Sequence, residues 1–395
     1  MMNKEPAVRI QSIDLLRGIV MVIMVLDHAR DYFHADAFLY DPLDLSKTSV
    51  ALYFTRWITH FCAPVFVFLA GTSAFMVGRR KGIPELSRFL FTRGLWLVFL
   101  ELSVVNFGWF FNLKVQFIGL QVIWAIGIGM VALSLLVRLP MRAIFVVGLI
   151  LVFGHNLLDS IHVAGNSLGA VLWSLLHDPN FFQLDNGRSV FIAYPLIPWI
   201  GTIALGYCFG TFYTDAFTVQ HRKRILVYLG GGAILLFIVV RFINVYGDPS
   251  LWSAQVTPMY TVLSFLNTTK YPPSMLYLLM TIGPAMLFLA FNEGEPSPVA
   301  KKAIVFGRVP MFFYLMHIYV LQIIAVVAAV ATDFPASTMV FDIWITMSPE
   351  LAGYGFGLGA VYLIWMAVVL ILYPVCRIYE RYKSVNRGRV WLSYL

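Results

Sequence analysis

Five titratable side chains, Asp27, His28, Arg30, Asp31 and His34, fall within eight positions at the end of the apolar run "VMVIMVL". At 100° per helical residue, Asp27, Arg30, Asp31 and His34 share one stripe about 100° wide, with His28 about 60° from Asp31, so all five can face one pocket. A carboxylate beside an imidazole is the arrangement that orients a general base. The same residues also suit a plain helix end among lipid headgroups, where charge costs little. A further histidine, His317 in "RVPMFFYLMHIYVLQ", stands alone among apolar residues. Such a residue is either a hydrogen-bonded packing group or the partner of a distant site.

These residues belong to a chain of 395 residues that is 60% hydrophobic and 12% charged. Its mean hydropathy of +0.80 lies beyond the range of soluble globular domains. Ten windows of about 20 residues are long enough to cross a hydrocarbon core of roughly 30 Å as helices: near 13–33, 52–77, 89–111, 115–136, 141–161, 189–212, 225–246, 273–291, 303–331 and 354–376. The expected fold class is therefore all-α, a polytopic membrane helix bundle of about ten transmembrane helices. It forms one domain over residues 1–395, with no soluble domain attached. The start "MMNKEPAVRIQSIDLLRG" lacks a small-residue cleavage site, so its first apolar run reads as a retained helix rather than a signal peptide. Cys62, Cys208 and Cys376 are scattered over apolar windows and form neither a disulfide framework nor a zinc pattern.

The net charge of +8 raises the question of nucleic acid, and the positions of the charges answer it. With the N-terminus in the cytoplasm, 21 of the 28 Lys and Arg fall on the inner side, and Arg30, Lys47, Arg56, Lys114, Arg188, Arg241 and Lys270 fall toward the outer side. That asymmetry is the positive-inside pattern; it sets both termini in the cytoplasm and excludes a nucleic-acid footprint. The longer loops, about 34–51, 162–188, 247–272 and 332–353, then face outside. At 1.5 Å per residue, His28 lies about 22 Å along the first helix, and His317 about 21 Å along a helix entering at residue 303. Two histidines on different helices thus reach one level in the outer half of the bilayer.

Other ionisable residues inside the windows each require a partner or a purpose. Asp14 and Arg17 pair across one turn. Glu101 has no charge within a turn of its own helix, so it meets a group on another helix or stays protonated. Arg56 with His60, and His155 with Asp159, form two further pairs at a spacing of four. No HxxxH or HxxE spacing occurs, so no metal site is expected. Pro195, Pro198, "KYPPS" at 270–274 and Pro284 break helices and free backbone carbonyls, either as simple kinks or around a cavity.

The segments "IDLLRGIVMVIMVLDHARDYF", "APVFVFLAGTSAFM", "YPLIPWIGTIALGYCFG", "KYPPSMLYLLMTIGPA" and "GRVPMFFYLMHIYVLQ" follow one another over nearly the whole chain. Together they resemble the bacterial relatives of heparan-alpha-glucosaminide N-acetyltransferase. The resemblance implies a bundle of about ten helices that passes an acetyl group from acetyl-CoA to a sugar amine across a membrane. It places the family's D-x-x-R-G start on Asp14, Arg17 and Gly18, and its late histidine on His317. His28 stands where the lysosomal enzyme has Asn, and His34 matches a histidine after the first helix only loosely, so both are candidates for the general base.

The resulting expectation is an acetyl-CoA-dependent transmembrane acyltransferase in a bacterial cytoplasmic membrane. Its catalytic residues are drawn from His28, Asp27, Asp31, His34 and His317, its CoA-phosphate ligands from Arg79, Arg80, Lys81 and Arg88, and it takes an extracytoplasmic sugar or glycan acceptor. The lipid bilayer is its surroundings, and a homodimer is compatible with the sequence. Two alternatives use the same residues: an O-acyltransferase of an envelope polysaccharide, and a proton-coupled transporter in which His and Asp form a relay.

Overall fold

The computed structural model describes residues 10–184, 187–386, 389 and 392. Lys4, Arg9 and Arg387, counted above among the inner charges, lie outside the described residues. The chain is a mostly helical membrane protein, and seven described helices are individually long and apolar enough to cross a bilayer. In chain order the main helices are α1 Gln11–Phe33, α2 Val50–Lys81, α3 Ile83–Phe110, α4 Val122–Leu136, α5 Met141–Leu158, α6 Leu196–Tyr213, α7 Val219–Ile243, α8 Met275–Phe291, α9 Pro298–Arg308, α10 Pro310–Ala331 and α11 Leu358–Val385.

Helix starts follow local chemistry. Ser49, Thr218, Ser274 and Ser297 each accept a hydrogen bond from the amide three residues on, which satisfies a donor that the helix cannot. Packing between helices rests on small residues, because lipid removes much of the hydrophobic incentive that drives association in water. A Cβ on Gly18 of α1 would run into the Ala303 carbonyl of α9, and one on Gly307 into the Asp14 carbonyl. Gly71 of α2 and Gly206 of α6 meet opposing backbone in the same way.

Three expectations require correction. The window 303–331 is not one helix: Val309 leaves helical geometry (φ −130°, ψ 49°) and α10 restarts at Pro310, because a proline has no N–H to donate and disfavours the α conformation in the residue before it. His317 therefore lies only about 10 Å from the start of its own helix, at 1.5 Å per residue. The all-α expectation omits a small sheet of β1 Phe117–Leu120, β2 Asn180–Gln183 and β3 Ser189–Ile192. In it β3 is central, parallel to β1 and antiparallel to β2. The stretches "KVQFIGL" and "RSVFI" are apolar enough for a span but carry β-branched and aromatic residues in short runs, the composition of strands. Finally, His155 is not paired with Asp159. Its ring nitrogens lie 3.0 Å from the carbonyls of Leu151, Val152 and Pro273, and Asp159 is held instead by His177 at 3.1 Å and Asn156 at 2.8 Å.

Glu101 finds a different kind of partner from a cation. It is fully buried and opens a π-helical turn, Glu101–Val105, within α3. Its two carboxyl oxygens accept from the backbone N–H of Gln121 (3.2 Å) and Trp124 (3.0 Å). The N-terminus of α4 has no side-chain cap of its own, and a carboxylate there meets unpaired amides and the positive end of the helix dipole.

Candidate active site

The C-terminal end of α1 and the middle of α10 meet at two imidazoles. His28 Nδ1 and His317 Nε2 are 2.7 Å apart, with their rings nearly parallel and 4.9 Å between centroids. His317 is fully buried, and its other nitrogen, Nδ1, is 3.0 Å from the Phe313 carbonyl one turn earlier. A carbonyl can only accept, so His317 Nδ1 carries hydrogen and, in a neutral ring, Nε2 has a lone pair. His28 Nδ1 must then be the donor to it, and neutral His28 keeps its lone pair on Nε2. Two hydrogen bonds thus select the His28 tautomer whose free nitrogen is available to take a proton.

His28 borders a cavity of about 450 Å³ together with Asp27, Asp31, Trp109, Lys270 and Tyr314. The carboxylates there are not bonded to His28. Asp27 accepts both of its short contacts, 2.7 Å each, from Arg56 of α2, and lies 3.0 Å from Arg30 and 3.8 Å from Lys270. Asp31 pairs with Arg30 at 2.5 Å. Two acids and three cations form one buried network, with His28 at its edge. Arg56 and Lys270 neutralise charge that would be costly alone at this depth.

Outside the spans, the Tyr271 hydroxyl shows the field of this network. Burial works to raise it, but the nearby Lys270 and Arg56 cations overcome burial and hold it below its ordinary range. His34 caps the end of α1 and pairs its backbone with Phe356 in an isolated bridge. It does not border this cavity, and burial lowers its imidazole against the opposing pull of Asp36. His60 is fully buried against Tyr277, 5.3 Å between ring centroids, and also lies away from the cavity lining.

A second cavity, of about 320 Å³, runs along α1, α2, α3 and α4. Its walls are largely apolar, with Met21, Met24, Ala70 and Ala74 among them, and Arg17, Arg93 and Lys383 also line it. Val122 and Tyr314 border both cavities, so these two residues separate them. Of the expected phosphate ligands, Arg79 is paired with Asp215 at 3.0 Å and, with Arg80, borders a separate polar cavity of about 700 Å³. Lys81 lies 4.9 Å from the ring centre of Phe89, a wall residue of the 320 Å³ cavity, and Arg88 is exposed.

The fold thus brings His28, Asp27, Asp31 and His317 together and leaves His34 apart. Lys270, Trp109 and Tyr314 were missed by sequence reasoning. Lys270 sits in the "KYPPS" breaker, and a lysine beside two prolines at the start of an apolar window is a signal that could have found it. For Trp109 and Tyr314, aromatic residues in aromatic-rich helices, the sequence holds no distinguishing sign.

No curated protein sequence matches the chain at a significant level. A family profile described as "Heparan-alpha-glucosaminide N-acetyltransferase, catalytic" matches residues 9–251, a segment that carries Asp27, His28, Arg56 and Trp109 and covers more than half of the chain. The chain belongs to the heparan-alpha-glucosaminide N-acetyltransferase catalytic family.

Proposed function

We propose that the protein transfers an acetyl group from cytoplasmic acetyl-CoA to the amine of a sugar or glycan acceptor held on the outer side of a bacterial cytoplasmic membrane. The observation that carries this reading is the pair of cavities that share Val122 and Tyr314 as wall residues, with His28 lining one of them. The largely apolar cavity suits an extended pantetheine arm, and Arg17, Arg93 and Lys383 in its lining suit the phosphates of CoA. The asymmetry of Lys and Arg along the chain supports both termini on the cytoplasmic side. Arg79, Arg80, Lys81 and Arg88 then serve chiefly as inner-face charge.

In this reading an acceptor amine enters the 450 Å³ cavity beside His28. As the amine nitrogen attacks the thioester carbonyl, a C–N bond forms and His28 Nε2 takes the amine proton. The imidazolium keeps its Nδ1–H donated to His317 Nε2, whose own tautomer is held by Phe313. Collapse breaks the C–S bond, and the thiolate takes the proton from His28 and leaves as free CoA. Asp27 and Asp31, with Arg30, Arg56 and Lys270, hold the end of α1 and set the field of the site rather than orienting the base directly.

Purified protein given acetyl-CoA and a panel of amino sugars should release free CoA only when an acceptor is present, with an acetylated product. Acetylation of hydroxyl-only glycans and not of amines would assign O-acyl transfer instead. Solute uptake into proteoliposomes without CoA release from any acceptor would replace the reading with a transporter.

A further inference from the structure

Trp109 is 2% exposed, yet its indole N–H has no hydrogen-bond acceptor among the described residues. The ring is not free to search for one. It is stacked on Tyr32 (5.6 Å between centroids, 13° between planes), whose hydroxyl donates to the Trp109 carbonyl at 2.9 Å, and it stands edge-on to His28 at 4.6 Å and 72°. Leaving a buried donor unmade is costly, so a clamped, unsatisfied N–H beside a base with a free lone pair points to an acceptor that arrives with the substrate.

A second donor comes to the same place. Tyr314, 4% exposed, lies on α10 one turn before His317, with 5.5 Å between ring centroids. Tyr314 borders both cavities, whereas Trp109 and His28 border only the outer one. The two donors and the base therefore surround the point where the cavities meet.

We infer that Trp109 Nε1–H and the Tyr314 hydroxyl are catalytic residues that donate hydrogen bonds to the acetyl oxygen of the thioester. This inference rests on the acyl-transfer reading above. When the amine attacks the carbonyl carbon, the C=O π electrons move onto that oxygen, and two fixed donors in a water-poor site stabilise the charge more than they stabilise the neutral carbonyl. On collapse the double bond reforms as the C–S bond breaks, so neither donor gives up its proton. Because Trp109 is held by Tyr32 and His28 before substrate binds, the donors need not reorganise during the reaction.

The test uses the purified full-length protein with acetyl-CoA and an amino sugar that it acetylates. Tyr314→Phe removes one oxygen and keeps the ring; Trp109→Phe removes the N–H. Each should lower kcat about 100-fold, the usual cost of removing one oxyanion donor, with little change in the KM for acetyl-CoA. Infrared spectra of acetyl-CoA labelled with 13C at the thioester carbonyl should show its C=O band moved to lower frequency by the wild-type protein, and moved less by each variant. If Trp109→Phe does not fold, Tyr314→Phe decides alone. Wild-type kcat and an unchanged band shift in the folded variants would overturn the assignment while acyl transfer stands. Absence of CoA release by the wild type with every acceptor would overturn both together.

Discussion

His28 and His317, 289 residues apart in the chain, share a hydrogen bond of 2.7 Å whose direction is set by a third group, the Phe313 carbonyl. In the proposed mechanism the relationship makes His317 a positioning residue, which touches the base and through it the reaction. One imidazole fixes the tautomer of the other, a task for which enzymes often use a carboxylate.

His28→Ala should lower kcat by about 100-fold or more, the typical contribution of a general base, while the KM for acetyl-CoA changes little. His317→Leu should approach the same loss. His317→Gln, whose amide oxygen can still accept from His28 Nδ1, should recover part of the rate. Steady-state kinetics of the three variants test this order, and full activity in His317→Leu would remove it from the mechanism.

Asp27→Asn and Asp31→Asn should separate stability from catalysis. Asp27 holds Arg56 with both contacts and lies near Arg30 and Lys270, whereas Asp31 has its short contact with Arg30 alone. Removing the Asp27 charge leaves three cations with one carboxylate, and breaking a buried ion pair in this way typically costs about 3–5 kcal/mol. Thermal unfolding in detergent should show a larger drop for Asp27→Asn than for Asp31→Asn. Equal, negligible drops would mean that these charges are simply solvated.

Glu101→Ala should destabilise by about 1–3 kcal/mol, because it strands buried donors at the start of α4. Glu101→Gln keeps one oxygen acceptor and should lose less. The measurement is again the thermal midpoint, and identical midpoints for wild type and Glu101→Ala would refute the capping role.

Ala70→Phe and Ala74→Phe place a ring inside the 320 Å³ cavity. Both should raise the KM for acetyl-CoA while leaving the KM for the acceptor near its wild-type value. A rise in the acceptor KM alone would exchange the roles given to the two cavities.

Sidedness can be tested without a mutation. In sealed inside-out vesicles, acetyl-CoA added to the exposed cytoplasmic face should acetylate an impermeant amino sugar trapped in the lumen and not one added outside. Equal labelling of acceptor on the CoA side would refute transfer across the membrane, though not acetyl transfer itself.

Much of the bundle was legible because the rules that govern it are local. A span needs a run of apolar residues matched to bilayer thickness, and its helix must satisfy its own backbone. The windows near 52–77, 89–111 and 225–246 therefore coincide with α2, α3 and α7. The departures also have local causes that compete with hydropathy: Pro310 splits one window, and β1 and β3 take the N-terminal ends of two others. The titratable cluster at the end of α1 was visible for the same reason, since charge in a span is conspicuous wherever it stands.

What each member of that cluster does was decided only by tertiary structure. From the sequence alone, Asp27 and Asp31 were the natural partners of His28, being one and three residues away. In the fold, Arg56 and Arg30 claim those carboxylates, and His317 of α10 claims the imidazole. A charge or a hydrogen-bonding group on one helix can be recognised by type and spacing, but its partner depends on which helices pack together and at what height. Contacts such as Gly18 against Ala303 and Gly307 against Asp14 set that height. The sequence by itself therefore determined that this is a helical membrane protein with a titratable cluster at the end of its first helix. The tertiary structure decided the partner and tautomer of His28 and the cavity it lines, because those follow from contacts between residues hundreds of positions apart.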